Sequence, residues 1–339
     1  MRALGQKILK GAPQVFLGAF LLCSSCEGEP SAEKSSDHAD SKKSENAASS
    51  TSQDPHHEGP VRFMAYNVKN YLTMDVYVKG GKKEPRPKSP EEVTALVDII
   101  VKEKPDILGI CEIGTQQDLE ELQGLLKDAG LDLPYSHRSG GMDEVRHLAI
   151  LSALPIKETN SQAHLPFQIG DDEFLVRRGI LDVTISLPGG PTHFVGLHLK
   201  SKRASTSFDE AEVRLNEARL ARAHCDAILE KNPQARIILY GDMNDTRKTP
   251  PLSIMMGNRD SQHYLEDAFL KDSRGHLWTH YWSYQQQYSR FDYALLSKNV
   301  KAEVNWEKSY IVDPVNWLDA SDHRALLLTL GDEAHQDAQ

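Results

Sequence analysis

The chain has no excess of positive charge: 39 lysines and arginines face 49 aspartates and glutamates among 339 residues, a formal net charge of −10. A general nucleic-acid-binding protein carries a basic footprint that this balance does not supply, although a local basic rim suffices for a nuclease. Cysteine is scarce. Cys23 and Cys26 close an N-terminal apolar run, and only Cys111 and Cys225 lie in the body of the chain. Two such cysteines make no disulfide framework. Cys111 falls in an apolar, strand-like run and is expected as a buried free thiol, with a Cys111–Cys225 pair left open. The apolar run Pro13–Cys23 is too short to span a bilayer as a helix. Between residues 27 and 59, aromatic and branched aliphatic side chains are missing altogether. That stretch has too little apolar surface to order itself. No internal repeat and no second linker interrupts the remainder, which reads as one domain.

What is present begins with an export pattern. Arg2, Lys7 and Lys10 precede the apolar run, and Ser24-Ser25-Cys26 follows it. Small residues before a cysteine resemble the lipobox of bacterial lipoproteins, with Cys23 where leucine is usual. The expectation is an export signal over residues 1–26 with Cys26 lipidated, so that the protein is exported and membrane-anchored. The alternative is a signal cut nearby that leaves a soluble periplasmic or extracellular protein. Residues 27–60 are expected as a disordered tether, 61–331 as the catalytic domain and 332–339 as an acidic tail.

Within the domain, strand-like runs recur at Val61–Asn67, Asp106–Glu112, His147–Ser152, Gly179–Ser186, Thr192–His198, Arg236–Asp242, Phe291–Ser297 and Arg324–Leu330. Several are apolar on both faces, which implies sheets covered on both sides. Ser89-Pro90-Glu91-Glu92 is a capping box with proline at the first helical position, and an apolar stripe from Val93 to Val101 follows. Thr115 caps a second helix carrying Leu119, Leu122, Leu125 and Leu126, and a third runs from about Asp209 to Lys231. Strands and helices without strict alternation fit an α/β domain of two packed sheets with helices outside.

The informative polar residues sit where strands end: Asn67, Glu112, His198 and Asp242, with Asn244 two positions on, Asp292 near a strand mouth, and Asp322-His323 just ahead of the last strand. Each alone is weak evidence. Together they are carboxylates, carboxamides and imidazoles with no nucleophilic serine or cysteine among them. Oxygen donors suit a hard cation such as Mg²⁺, with Mn²⁺ as an alternative, and a carboxylate beside a histidine suits proton transfer or charge stabilisation.

Ala65-Tyr66-Asn67, Gly109-Ile110-Cys111-Glu112, Gly241-Asp242-Met243-Asn244, Phe291-Asp292-Tyr293 and Ser321-Asp322-His323 resemble, in order, the motif series of the endonuclease/exonuclease/phosphatase superfamily. The resemblance implies a four-layer sandwich, two mixed β-sheets flanked by α-helices, and metal-dependent hydrolysis of a phosphate ester by in-line attack of water. It implies Glu112 as principal Mg²⁺ ligand with Asn67 and Asp322 nearby. Asp242 would activate the water, Asn244 would hold a phosphate oxygen, and His323 paired with Asp292 would stabilise charge. His198 matches the second histidine of the deoxyribonuclease and sphingomyelinase branches, where it assists the leaving group.

That histidine has a carboxylate partner in the deoxyribonuclease branch, and Glu144 stands one residue out of step with it. His147 faces either the site or a strand edge. Arg178 or its neighbour Arg177 is expected on substrate phosphate, against a reading as surface arginines. The basic segments from Lys79 to Lys88 and from Lys200 to Arg203 are expected at the active rim, where they can guide a polyanion; the first, rich in Gly and Pro, reads as a mobile loop. Trp278, His280, Tyr281, Trp282 and Tyr284 are open to two readings, cleft lining or core packing. The expected partner is a phosphate-ester substrate, with nucleic acid among the candidates and a phosphodiester favoured over a monoester of a sugar or lipid. A non-catalytic binding module on the same scaffold is the competing reading, as is a structural lipoprotein.

Overall fold

The computed structural model of the protein describes residues 59–206 and 208–331. The expected export signal, nearly all of the tether and the acidic tail fall on residues 1–58 and 332–339, outside the described residues. Two six-stranded mixed sheets carry the fold. The first has the order Tyr310–Ile311, Leu326–Leu330, Val61–Tyr71, Ile107–Ile113, His147–Ser152, Tyr135–Ser139. The second runs Glu266–Asp267, Asp292–Leu296, Arg236–Asp242, Gly190–His198, Leu181–Leu187, Ile156–Thr159. Each sheet holds one parallel pair, Val61–Tyr71 with Ile107–Ile113 and Gly190–His198 with Arg236–Asp242; the other neighbours are antiparallel.

Period-two alternation explains why these strands read as apolar throughout. Phe63, Ala65, Ile150, Phe194, Ile238 and Tyr240 face the core between the sheets. Met64, Tyr66, Leu108 and Ile110 point the other way, onto helices α1 (Pro90–Glu103) and α2 (Gln116–Asp128). Val195, Leu197, Ile237 and Leu239 pack outward on α3 (Glu210–Lys231) and α4 (Pro250–Met256). Three cores between four layers make the α/β sandwich. The helix starts match local chemistry: Ser89 and Thr115 each close a reciprocal capping box, and Asp209 caps α3.

Differences from the sequence reading lie at boundaries and loops. Gly179 has φ +69 and turns the chain two residues before its strand begins at Leu181. The segment expected to be a mobile loop forms a hairpin, Met74–Tyr77 with Lys83–Arg86, turned at Gly80 and Gly81. Cys111 and Cys225 are both buried free thiols. Gly109 and Gly196 are small for a reason: a β-carbon at either would run into the ring of Tyr240, which lies buried across both strands. No helix among the described residues is long and apolar enough to cross a membrane.

Candidate active site

Register, not proximity in sequence, assembles the site. In the second sheet His198 lies opposite Asp242, and Asp242 opposite Asp292, so three adjacent strands present three functional side chains in one row. All three continue the inward-facing parity of Phe194, Tyr240 and Ala294. Asn67, in step with Phe63 and Ala65, reaches the same end of the inter-sheet space from the first sheet.

Glu112 would follow Leu108 and Ile110 outward toward the helices if its strand stayed regular. Instead the ladder is irregular between Cys111 and Ile113, and Glu112 has φ +69. This bulge turns the carboxylate to the rim, where Asn67 Nδ2 donates to Glu112 Oε1 over 3.3 Å and the backbone N–H of Asn70 to Oε2 over 2.9 Å. Asn244 also sits at positive φ, +48. Gly241, at φ +130, packs where a β-carbon would overlap the carbonyl of Leu197. The Gly241–Asn244 motif is thus a strained turn that presents Asp242.

Asp242 is the hub. Its Oδ2 accepts from Asn67 Nδ2 at 3.1 Å and Asn244 Nδ2 at 3.1 Å, and its Oδ1 from the Asn244 backbone N–H at 2.8 Å. His198 Nε2 stands 3.5 Å from Oδ2, and His323 Nε2 3.7 Å. The other imidazole nitrogen of His323 bonds Asp292 Oδ2 at 2.8 Å. Thr279 Oγ1 accepts from the N–H groups of Phe291 and Asp292, and Ser321 Oγ bridges the Asn67 carbonyl and the His323 N–H.

Electrostatics separates the two histidines. Burial holds His198 well below the usual imidazole range, helped by the positive charges of Arg178, His323 and Arg146. Burial pushes His323 the same way, but the carboxylates of Asp292 and Asp242 overcome it and raise it to about 10. Burial raises the Asp242 carboxyl, and Asp292 and Glu112 add to the rise against the opposing pull of His323. One histidine is neutral and the other charged, within reach of the same carboxylate.

Asp242, Asp292 and His323 bring ligand atoms within 4.8 Å of one another, the one such trio among the described residues. Their chemistry argues against a metal there: an imidazolium has no free lone pair, and His323 already engages Asp292. The oxygen-donor set of Glu112 and Asn67 fits a hard cation better. Asp322 is half-buried; its carbonyl accepts from the Tyr281 N–H at 2.9 Å, and its carboxylate makes no hydrogen bond or ion pair among the described residues. Its carboxylate and that of Glu112 both act on the half-buried ammonium of Lys88. A cation at Glu112 would offset the carboxylates that raise Asp242.

Other expectations resolve differently. Glu144 is exposed, and His198 Nδ1 is buried with no hydrogen-bond partner, so the expected carboxylate partner is absent among the described residues. The preceding residue, Asp143, instead accepts from the backbone N–H groups of Val145 and Arg146 and lies 3.3 Å from Arg178 Nε. His147 lies against Gly140 at a strand edge. Arg178 is buried, with Nε and Nη1 making no hydrogen bond, and its charge is felt by His198. Trp282, at the end of the hairpin strand His280–Trp282 that pairs with Gln287–Ser289, and Tyr284, in its turn, are exposed and do not pack in the core. The ring of His280, on that hairpin, lies 4.6 Å from that of His323, tilted by 48°. Thr279, Lys88, Arg146 and Asn70 were not assigned roles from sequence. Each lies far in the chain from the residue it supports, and only Lys88, in a basic segment placed at the rim, carried a signal.

The sequence profile described as the Endonuclease/Exonuclease/phosphatase family matches residues 83–319. The chain belongs to this family. Members of the endonuclease/exonuclease/phosphatase family are metal-dependent phosphoesterases and nucleases. No curated relative matches the sequence. Solved structures share the fold. A truncated Caenorhabditis elegans TDP2 is 18% identical, with 80% of this chain and 98% of that chain covered and a TM-score of 0.52. The human nocturnin catalytic domain with bound sulfate is 16% identical, covering 80% and 93%, TM-score 0.56. Sphingomyelinase C from Streptomyces griseocarneus is 15% identical, covering 80% and 99%, TM-score 0.52. At these identities the likeness concerns the fold alone.

Proposed function

We propose that this protein hydrolyses phosphodiesters with the aid of a divalent cation, Mg²⁺ or Mn²⁺, held by Glu112, Asn67 and Asp322. The observation that carries the reading is the pair of histidines, one neutral and one charged, on either side of Asp242. The cation supplies charge to polarise a phosphoryl oxygen. Asp242, with a raised carboxyl pKa, accepts the proton of the attacking water. His323, an imidazolium held by Asp292, stabilises charge on the phosphoryl oxygens, and Asn244 orients one of them. His198 is neutral and its Nε2 faces two carboxylates, which favours the tautomer with the proton there. It donates a hydrogen bond to the leaving oxygen. Arg178, whose Nε pairs with Asp143 and whose buried Nη1 makes no hydrogen bond, contacts a substrate phosphate. A diester is favoured over a monoester because His198 matches the second histidine of the deoxyribonuclease and sphingomyelinase branches.

The test is turnover of bis-(p-nitrophenyl) phosphate with Mg²⁺ or Mn²⁺ and with EDTA. Hydrolysis that EDTA abolishes is the expected result; undiminished hydrolysis in EDTA, or none with either metal, removes the reading. The same proposal places the protein outside the cytoplasm, tethered by lipid on Cys26. Support comes from the short apolar run ending in Ser24-Ser25-Cys26. Cys26→Ser is expected to release the protein from the membrane fraction, and a wild-type protein already found soluble overturns the anchor.

A further inference from the structure

Glu112 has two carboxylate oxygens, and the fold treats them differently. Oε1 lies 3.3 Å from Asn67 Nδ2 and 3.8 Å from His198 Nε2. Oε2 accepts from the backbone N–H of Asn70 at 2.9 Å and lies 3.8 Å from Arg146 Nε. Two consecutive residues in the left-handed region, Lys69 at φ +47 and Asn70 at φ +54, turn the chain so that this N–H meets the carboxylate. Arg146 is fixed at both ends. Its backbone N–H donates to Asp143 Oδ1 at 3.1 Å, and its Nε donates to Asn70 Oδ1 at 2.7 Å. Its two terminal nitrogens make no hydrogen bond among the described residues and are open to solvent. Its charge also acts on His198, the histidine that faces the leaving oxygen. The guanidinium is thus anchored by its inner nitrogen beside the principal metal ligand, with its outer fork free.

The ions of a two-metal phosphoryl-transfer site stand about 3.5–4 Å apart and clamp the attacking and leaving oxygens between them. Such a pair needs carboxylates free to hold it, and here most are taken. Asp242 accepts from Asn67 and Asn244 and faces His198 and His323. Asp292 is bonded to His323 Nδ1 at 2.8 Å, and Asp143 lies 3.3 Å from Arg178 Nε. Glu112 Oε2 already has Asn70 and Arg146. Lys88 donates to the Lys69 carbonyl at 3.1 Å, and its half-buried ammonium is acted on by Glu112 and Asp322. Glu112 Oε1 and Asp322 remain, and one or two carboxylates with substrate phosphate are the usual holding of a single Mg²⁺.

We infer that Arg146 is a catalytic residue that supplies the charge a second divalent ion would otherwise bring: the chain holds one cation through Glu112 Oε1, and the free fork of Arg146 contacts an oxygen of the reacting phosphate beside it. This rests on the phosphodiesterase reading and adds to it a residue and a stoichiometry. A planar guanidinium fork matches phosphate oxygens in geometry as well as charge. It is held in place before substrate arrives, so charge developing on the phosphoryl group meets a preorganised donor. Arg146 keeps its protons throughout, because a guanidinium is not deprotonated in proteins. The bonds that form and break are those of the hydrolysis already described.

The experiment first counts cations without substrate, by electron paramagnetic resonance titration of the protein with Mn²⁺. One Mn²⁺ per chain is expected in the wild type and in Arg146→Ala; two per chain in the wild type overturns the inference. Turnover of bis-(p-nitrophenyl) phosphate at saturating Mn²⁺ is then expected to fall roughly 10²-fold in kcat in Arg146→Ala, the usual cost of removing one preorganised donor. Arg146→Gln keeps a donor for Asn70 without the charge, and it is expected to lose kcat to a similar degree with the melting point of the wild type. Guanidinium added well below denaturing concentration should restore part of the kcat of Arg146→Ala, where sodium at equal ionic strength should not. Near-wild-type kcat in both variants, no rescue by guanidinium, or a loss that added Mn²⁺ repairs overturns the catalytic role; the last would leave Arg146 merely steadying Glu112. Failure of the wild type to hydrolyse the small diester would strike the phosphodiesterase reading instead, and the Mn²⁺ count, read without turnover, still decides between one cation and two.

Discussion

At the scale of single residues, Asp242 and His323 are bound to each other's charge. His323 is raised because Asp292 and Asp242 face it, and Asp242 is raised chiefly because it is buried. Asp242→Asn and His323→Ala are each expected to lower kcat by roughly 10²–10³-fold, the usual cost of removing a preorganised group facing developing charge. Their melting points should stay near that of the wild type. Asp292 acts through His323, so the double variant Asp292→Ala with His323→Ala should lose little more than His323→Ala alone. Additive losses in steady-state kinetics would separate the pair and remove Asp292 as the residue that positions the imidazole.

At the scale of elements, two short segments support the side chains that the long strands bring to the site. The Gly241–Asn244 turn needs glycine at its first position because of the φ of +130 and the Leu197 carbonyl behind it. Gly241→Ala is expected to cost about 2–3 kcal/mol by denaturant unfolding, the range for forcing a β-carbon into such a conformation. Stability within roughly 0.5 kcal/mol of the wild type, the range of surface mutations, would mean the turn relaxes cheaply. The second segment is Asp272–Thr279. Arg324, next to His323, donates to Asp272 Oδ2 at 2.8 Å and lies 3.3 Å over the ring of Trp278. Burial would raise Asp272, but the hydrogen bonds from Arg324 and from the backbone of His276 and Arg274 bring it down from 3.8 to about 2. A depressed carboxylate contributes stability that is present above 3.8 and is lost as pH falls through about 2. Asp272→Asn should therefore lower the melting point at pH 7, and the gap to the wild type should narrow as the pH is taken down from 4. A gap that stays constant over that range would show that the carboxylate charge is not what holds the segment.

At the scale of the whole molecule, the site lies between two sheets rather than on either one. Asn67 and Glu112 come from the first, and His198, Asp242 and Asp292 from the second. A cation held at Glu112 and Asn67 binds the folded protein and not the unfolded chain, so it adds stability by mass action. Mg²⁺ in large excess over its dissociation constant is expected to raise the melting point by roughly 5 °C. Glu112→Gln should abolish that rise in calorimetry, a readout independent of turnover. A full Mg²⁺ shift in Glu112→Gln would move the metal elsewhere, with the Asp242–Asp292–His323 trio first in line.

The sequence alone determined what depends on local chemistry. Capping boxes at Ser89 and Thr115, the apolar parity of the strands and the polar residues at their ends are all written within a few positions of one another. Five of the named site residues, Asn67, His198, Asp242, Asp292 and His323, were legible for that reason, and the structure gathers them. Tertiary structure decided whatever depends on register or on backbone strain. The bulge that turns Glu112 inward has no local signature, because a regular strand would send the same residue to the helix face. The charge states of His198 and His323 follow from burial and from partners as distant in the chain as Asp242 and Arg178. Glu144 is exposed and the buried neighbour Asp143 engages Arg178, not His198, because a one-residue step at a loop changes which side chain is buried. The ion pair of Arg247 with the buried Asp267 joins residues twenty positions apart, an arrangement that sequence spacing does not record.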